Sequence, residues 1–383
     1  MFIGFLRSSL FLEKLSHGKA PLRKTHVASS GDGCFCRHRP RTVLAGCDPA
    51  TSAPTAVPEH SSRVPHPQPA NARPRYAFAI HGGAGVILRE NLNKADEEAY
   101  RAKLKEALLA GERVLKADGQ AVDAVVAAIQ VMEESELFNA ARGSVFTHEG
   151  HNEMDAAIMR GLDLNAGSVA GVSTIRSPIA AARAVMTDSP HVMLSGPGAE
   201  EFARSVGLAI VSPDYFHTER RWQQLKKAQS TGAHASLEHS DFKFGTVGAV
   251  ALDHAGNLAA GTSTGGMTNK RWGRIGDSPV IGAGTYASNR SCAVSATGHG
   301  EYFIRRTVAR DICALVEFAE KSLKEAAQFV VQDQLREMGG DGGVIAVDPK
   351  GNIVFEFNSP GMYRASGRAG EAPTVQIFRQ PPP

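Results

Sequence analysis

Aromatic residues are scarce in this chain, at 7%, with two tryptophans in 383 residues. That argues against an aromatic-rich binding surface. Neither charge sign dominates: 42 basic against 39 acidic residues leave a formal net charge of +3. Such a balance builds no strong field for nucleic acid or an anionic membrane. No apolar run approaches the roughly 18–20 residues of a membrane-spanning helix. Cysteine is sparse and odd in number, five in all, which argues against a full disulfide framework. Cys34-Phe35-Cys36 with His38 is too tightly spaced for a usual zinc pair, and no second ligand pair follows. Cys292 and Cys313 sit in apolar surroundings and read as buried thiols acting as small hydrophobes. Glycine is abundant, at 39 residues, which points to tight turns and close backbone packing. The length fits one large domain or two ordinary ones, with a sizeable core.

Residues 1–75 differ from the rest. They hold nine of the twenty prolines and few acids, and Pro65-His66-Pro67-Gln68-Pro69 admits neither helix nor central strand. The segment reads as a disordered or dispensable extension. A basic, acid-poor start also fits a targeting segment, although Arg7 interrupts the apolar stretch and no clean cleavage site follows. A third reading puts the true start near Tyr76. A cytoplasmic location is expected, with an organellar or exported one left open by the extension.

Order begins at Tyr76-Ala77-Phe78-Ala79-Ile80, an apolar run that reads as a buried strand entering a turn at His81-Gly82-Gly83-Ala84-Gly85. Tyr100, Leu104, Leu108 and Leu115 recur near helical spacing behind Asp96, Glu97 and Glu98, acids that suit a helix N-terminus. Val122, Val125, Val126, Ile129 and Met132 form a second stripe. Two hairpins follow, one around the turn Asp253-His254-Ala255-Gly256-Asn257 and one around Asp348-Pro349-Lys350-Gly351-Asn352. Their strands are apolar on both faces. Helices expected around 177–186, 200–206 and 305–323 supply covering layers, so the pattern points to stacked sheets between helices. Residues 215–244 are polar and without periodicity, and read as a solvated, flexible linker.

That linker meets a buried strand at Gly245-Thr246. Gly245 removes side-chain bulk beside the peptide bond and tolerates strained backbone. If the bond breaks, Thr246 becomes a new N-terminus. A threonine hydroxyl alone is a weak nucleophile and needs a base. An α-amine, with an unperturbed pKa of about 7.7–8.0, is well placed for that work. By itself the dipeptide reads sooner as a β-branched residue opening a strand. Thr264, in Gly261-Thr262-Ser263-Thr264-Gly265-Gly266, lies at the far end of the same hairpin and can return alongside Thr246. Arg274 and Asp277 follow on the Gly-rich loop Trp272-Gly273-Arg274-Ile275-Gly276-Asp277. Ala296-Thr297-Gly298-His299-Gly300 then ends another apolar strand.

Taken together, His81-Gly82-Gly83-Ala84-Gly85, Gly245-Thr246-Val247-Gly248-Ala249-Val250, Thr264-Gly265-Gly266, Gly273-Arg274-Ile275-Gly276-Asp277 and Ala296-Thr297-Gly298 resemble the plant-type L-asparaginase and isoaspartyl peptidase family. These are N-terminal nucleophile hydrolases of the threonine type. The likeness runs from about Tyr76 to Phe378. It implies an α/β (α+β) fold, a four-layer αββα sandwich. It implies autocleavage after Gly245, with 76–245 as an α subunit and 246–383 as a β subunit starting at the nucleophile. By the resemblance, Thr246 attacks and Thr264 orients it. Arg274 and Asp277 hold the substrate's α-carboxylate and α-ammonium, an assignment that suits a planar guanidinium and an acid. The Thr297 hydroxyl and Gly298 N–H form the oxyanion hole, where each donor lowers a barrier by roughly 2.7–4 kcal/mol.

The loop Glu133-Glu134-Ser135-Glu136-Leu137-Phe138-Asn139-Ala140 resembles the family's sodium loop, with backbone carbonyls of Glu133, Glu134, Phe138 and Ala140 as ligands. The chain then reads Ala141-Arg142-Gly143 where many relatives have glycine directly after Asn-Ala. Asn139 is expected near the nucleophile, with no chemistry assigned. Catalysis needs no cofactor, and sodium would be structural. The expected partners are a small-molecule or dipeptide substrate, with neither nucleic acid nor membrane, and a second αβ copy in an (αβ)2 assembly. The implied reaction hydrolyses L-asparagine and β-aspartyl dipeptides to L-aspartate. The nearest alternative is glycosylasparaginase-like cleavage of glycosylated asparagine. A non-enzymatic nucleotide-binding protein is the alternative of a different class, but the P-loop ending and GxGxxG spacing are missing.

Autocleavage of the full sequence at 245/246 yields pieces of 245 and 138 residues. A denaturing gel of active protein is expected to show two bands meeting at Thr246. A single uncut band in an active preparation counts against the scheme.

Overall fold

The computed structural model describes residues 76–231 and 245–379. The described chain carries strands β1 (Ala77–Gly85), β2 (Met154–Arg160), β3 (Ala166–Val172), β4 (Met193–Ser195), β5 (Val247–Leu252), β6 (Leu258–Thr264), β7 (Thr285–Ala287), β8 (Ala293–Gly298), β9 (Gly342–Val347), β10 (Ile353–Phe357), β11 (Gly361–Arg368) and β12 (Thr374–Phe378). Its helices are α1 (Lys94–Lys116), α2 (Ala121–Glu133), α3 (Pro178–Asp188), α4 (Gly196–Ser205), α5 (Glu219–Ser230), α6 (Gly300–Arg306), α7 (Val308–Phe318) and α8 (Leu323–Gln328).

The strands form two sheets. The larger has the order β12-β11-β1-β5-β6-β2-β3-β4, and the smaller β10-β9-β8-β7. Helices α1 to α4 cover one face of the large sheet, the small sheet packs on its other face, and α7 and α8 close the far side. This is the expected αββα sandwich.

Residue spacing explains the layering. Side chains alternate across a strand. In β1, Phe78 and Ile80 join the core under the helices, while Ala77 and Ala79 join the core between the sheets. In β5, Val247, Ala249 and Ala251 face the helices, and Val250 and Leu252 face the other sheet. The inter-sheet layer is rich in alanine, so the sheets approach closely. Helix α1 starts where Asn93 accepts a hydrogen bond from the Asp96 N–H at 2.8 Å, a side-chain N-cap. Both hairpin turns are closed by an aspartate: Asp253 Oδ1 accepts from Asn257 N, and Asp348 Oδ1 from Lys350 N and Asn352 N, each at 2.9 Å. Such Asx turns mimic a backbone turn.

Two expectations need correction. The stretch read as a linker from 215 holds α5, whose Arg221, Leu225 and Ala228 are buried. These positions stand four and three apart, which is helical spacing, but the stripe opens with a charged residue. Arg221 donates to the Gly143 carbonyl at 2.7 Å, so its charge is not wasted in the core. Residues 232–244 of that stretch lie outside the described residues, as do 1–75. Cys292 and Cys313 are joined as a disulfide across a Cα–Cα distance of 5.4 Å, rather than standing as two thiols. The packing of α7 against β8 brings them together, and nothing in their spacing of 21 residues announces it.

At Gly111, α1 packs tightly against both the sheet and α2. A Cβ there would lie 2.3 Å from the Phe78 ring and 2.9 Å from the Ala124 carbonyl. Gly111→Ala is expected to destabilise the fold by about 1–3 kcal/mol through overpacking, read as a lower midpoint in thermal or urea unfolding. An unchanged midpoint would contradict this packing.

Candidate active site

The register of β5 and β6 builds the centre. Val247 pairs with Ser263, so Thr246 falls opposite Thr264. Their hydroxyl oxygens are 2.9 Å apart, and both residues are buried. Gly266 N–H donates to Thr264 Oγ1 at 3.0 Å. The Thr264-Gly265-Gly266 turn therefore holds Thr264 in place from its own backbone.

Asn139 ties this turn to the peptide bond before Thr246. Its N–H donates to the Gly245 carbonyl at 3.0 Å, and its own carbonyl accepts from Gly265 N–H at 3.1 Å. Its side-chain Nδ2 donates to the Gly266 carbonyl at 2.7 Å, and Oδ1 accepts from Val145 N–H at 3.0 Å. Gly245 is glycine for closeness: a Cβ there would sit 2.8 Å from Asn139 Cβ. Ala141 sits in the left-handed region, at φ 42°, the conformation glycine adopts most easily.

The Arg274 guanidinium reaches the same place. A Cβ on Gly266 would lie 3.5 Å from Nη1, and one on Gly300 would lie 2.8 Å from Nη2 and 3.0 Å from Asp277 Oδ1. Arg274 and Asp277 thus flank the backbone just beyond Gly298. Glu301, at the start of α6, grips Arg274 through two bonds, Nε to Oε1 at 2.9 Å and Nη2 to Oε2 at 3.0 Å. This bidentate pair fixes the fork and leaves the Nη1 side toward Gly266. Glu301 escaped the sequence reading, although it stands one residue past the Thr297-to-Gly300 motif. Asp277 is buried and its Oδ2 has no hydrogen-bond partner. Burial pushes its carboxyl up to about 7, against the pull of Arg274.

Thr297 and Gly298 end β8, in the second sheet. Thr297 Oγ1 accepts from Ala84 N–H at 3.4 Å, which leaves its hydrogen to donate elsewhere. Gly298 pairs with Gly342, and a Cβ on it would strike the Asp341 carbonyl at 2.4 Å. Glu133 has a separate task for its side chain. Its buried carboxyl accepts from Ser263 Oγ at 2.6 Å and from Ile179 N–H at 3.0 Å, and burial pushes it up to about 7.

A family model described as asparaginase matches residues 74–377, and the chain belongs to that family of N-terminal nucleophile hydrolases. The chain is 52% identical over 309 residues to a protein of Salmonella typhimurium named isoaspartyl peptidase, covering 79% of this chain and 98% of that one. An Escherichia coli protein of the same name is 51% identical over 309 residues, covering 79% and 96%. A mouse protein named isoaspartyl peptidase/L-asparaginase is 42% identical over 294 residues, covering 76% and 88%.

Asp277 gives the site a pH signature. In the unfolded chain its carboxyl ionises near the ordinary 3.8, whereas in the fold it holds its proton to about 7. The folded state is therefore penalised increasingly as pH rises between those values, and fully above them. Asp277→Asn is expected to raise the melting temperature at about pH 8 and to change it little at about pH 4. A variant that melts lower than the parent at both pH values would refute this.

Proposed function

We propose that the protein hydrolyses β-aspartyl (isoaspartyl) dipeptides and L-asparagine, releasing L-aspartate through a Thr246 acyl-enzyme. The observation that carries this reading is the 2.9 Å approach of the Thr246 and Thr264 hydroxyls beside the Gly245–Thr246 bond. The names of the relatives support the same substrates and do not favour the glycosylated-asparagine alternative.

The bond before Thr246 breaks first: an N→O acyl shift moves the Gly245 acyl group onto Oγ1, and water hydrolyses that ester, which frees the Gly245 carboxylate, the hydroxyl and the α-amine. The freed α-amine then takes the Oγ1 proton, directly or through water, and Oγ1 attacks the substrate's β-carbonyl. The tetrahedral oxyanion accepts hydrogen bonds from the Thr297 hydroxyl and Gly298 N–H. Ammonia leaves from asparagine, or an α-amino acid leaves from a β-aspartyl peptide. Water hydrolyses the ester, and the α-amine regains its catalytic state. Arg274 offers Nη1 to the α-carboxylate. Asp277 accepts from the α-ammonium, whose positive charge favours the ionised carboxylate.

The structural sodium belongs to this reading too. Glu133 and Glu134 close the C-terminal end of α2, where helix carbonyls carry partial negative charge. The Phe138 and Ser135 carbonyls crowd the position of a Cβ on Gly143, at 1.9 and 2.9 Å. A sodium ion on the Glu133, Glu134, Phe138 and Ala140 carbonyls would brace the loop that carries Asn139. No helix among the described residues is long and apolar enough to cross a membrane. A cytoplasmic location and an (αβ)2 assembly complete the proposal.

Thr246→Ala is expected to stay uncut and to lose on the order of 10⁴–10⁶-fold in turnover of a β-aspartyl dipeptide. Retained turnover in that variant, or a parent enzyme that cleaves glycosylated asparagine in preference to the dipeptide, would overturn the reading.

A further inference from the structure

His81 lies in β1, between β11 and β5, and is fully buried. Its two ring nitrogens have different partners. Nδ1 is 3.1 Å from the carbonyl oxygen of Thr246. A carbonyl only accepts, so Nδ1 carries the ring hydrogen and Nε2 is the acceptor. Nε2 is 3.0 Å from Ser295 Oγ on β8, in the other sheet. Ser295 therefore donates to the ring, and its oxygen accepts from Thr262 at 2.7 Å. Thr262 accepts in turn from Thr285 at 2.7 Å. The result is a row of donors, Ser295 to His81, that crosses from the small sheet and ends on the Thr246 carbonyl; the Thr262 and Thr285 hydroxyls behind it also reach the Gly284 and Ser278 carbonyls, at 3.1 and 3.2 Å. Burial pushes the ring's pKa down to about 3, so the imidazole stays neutral and the row keeps its order near neutral pH.

The row passes through a gap made by Gly248, the register partner of His81. A Cβ there would lie 2.0 Å from Ser295 Oγ and 2.2 Å from His81 Nε2. The glycine two residues after Thr246 is thus required by the imidazole rather than by a turn.

The row matters because cleavage turns Thr246 into a chain end. Before the cut, the Gly245 carbonyl anchors the segment to Asn139 N–H at 3.0 Å. That anchor departs with Gly245, and a free terminus frays unless tied down. The carbonyl of Thr246 stays, and so does its bond to His81. Carbonyl and α-amine share one Cα, so fixing the direction of the first limits where the second points. We propose that His81 is a positioning residue for the nucleophile: its Nδ1–H holds the Thr246 carbonyl after autocleavage and keeps the freed amine aligned with Oγ1. This rests on Thr246 being the nucleophile. His81 touches no reacting atom, so its effect falls on turnover rather than on substrate affinity.

Two substitutions separate its nitrogens. His81→Asn places an amide N–H near the Nδ1 position, whereas His81→Gln places one near Nε2, toward Ser295. With cleaved protein and a β-aspartyl dipeptide, His81→Asn is expected to keep kcat within about threefold. His81→Gln is expected to lose on the order of 10–100-fold in kcat, with KM within about threefold of the parent. Equal kcat in parent and His81→Gln, equal losses in both variants, or a loss confined to KM would overturn the proposal. Should neither variant fold, nitrogen NMR of the parent decides: an Nδ1–H tautomer at His81 supports the proposal and an Nε2–H tautomer overturns it. Thr246→Ala is the control that separates the two claims. If it keeps activity, the nucleophile reading fails and this one with it. If it is inert while His81→Gln turns over like the parent, the positioning role alone fails.

Discussion

Everything at the centre of this molecule depends on the pairing register of β5 with β6. Side chains alternate with a period of two, so a slip of one residue would turn Thr246 and Thr264 to opposite faces. The register is held from several directions. Val247, Ala249 and Ala251 are buried under the helices, while Val250 and Leu252 face the second sheet. Shifting the strand would exchange these two sets between layers of different thickness. The core thus specifies the 2.9 Å approach of the two hydroxyls, although none of those apolar residues takes part in chemistry.

Small residues make the rest possible. Gly245, Gly248, Gly265 and Gly300 each stand where a Cβ would collide with Asn139, His81, Ser144 or Arg274. The site is assembled from backbone and side chains drawn from β1, β5, β6, β8, the 134–144 loop, the 265–284 loop and the start of α6, and these meet only because nothing larger intervenes. Polar groups inside it are kept in matched arrangements: Arg274 with Glu301, and His81 between a carbonyl and a hydroxyl. Asp277 departs from this pattern, a buried carboxyl with one oxygen lacking a partner. A group held in that condition is costly to the fold and is also what an incoming ammonium would satisfy.

Much of this was legible beforehand. The two hairpins, the α1 and α2 stripes and the stacking of sheets between helices follow from apolar periodicity, which reports burial on one face or both; the four-layer count came from the family resemblance. The Gly-Thr junction and the Arg274/Asp277 loop were visible as residue types able to do chemistry, and the family resemblance, not the residues alone, assigned their roles. Helix α5 was not, because its buried stripe begins with Arg221 and a charge at a core position defeats an apolar pattern. The Cys292–Cys313 pairing was not, because two cysteines on separate elements carry no mark of which face they share. Glu301 and Ser295 were missed for a related reason: a lone acid or serine means nothing until a partner stands opposite.

The residue order alone determined the layer pattern, the place of the hairpins and the set of groups capable of nucleophilic work, since each depends on neighbours along the chain. Which groups touch was decided by the fold. The contacts of Thr246 with Thr264, of His81 with Thr246 and Ser295, and of Arg274 with Glu301 span 18 to 214 residues of sequence. Hydrogen bonds act over about 3 Å, and only the packing of two sheets brings such distant residues within that reach.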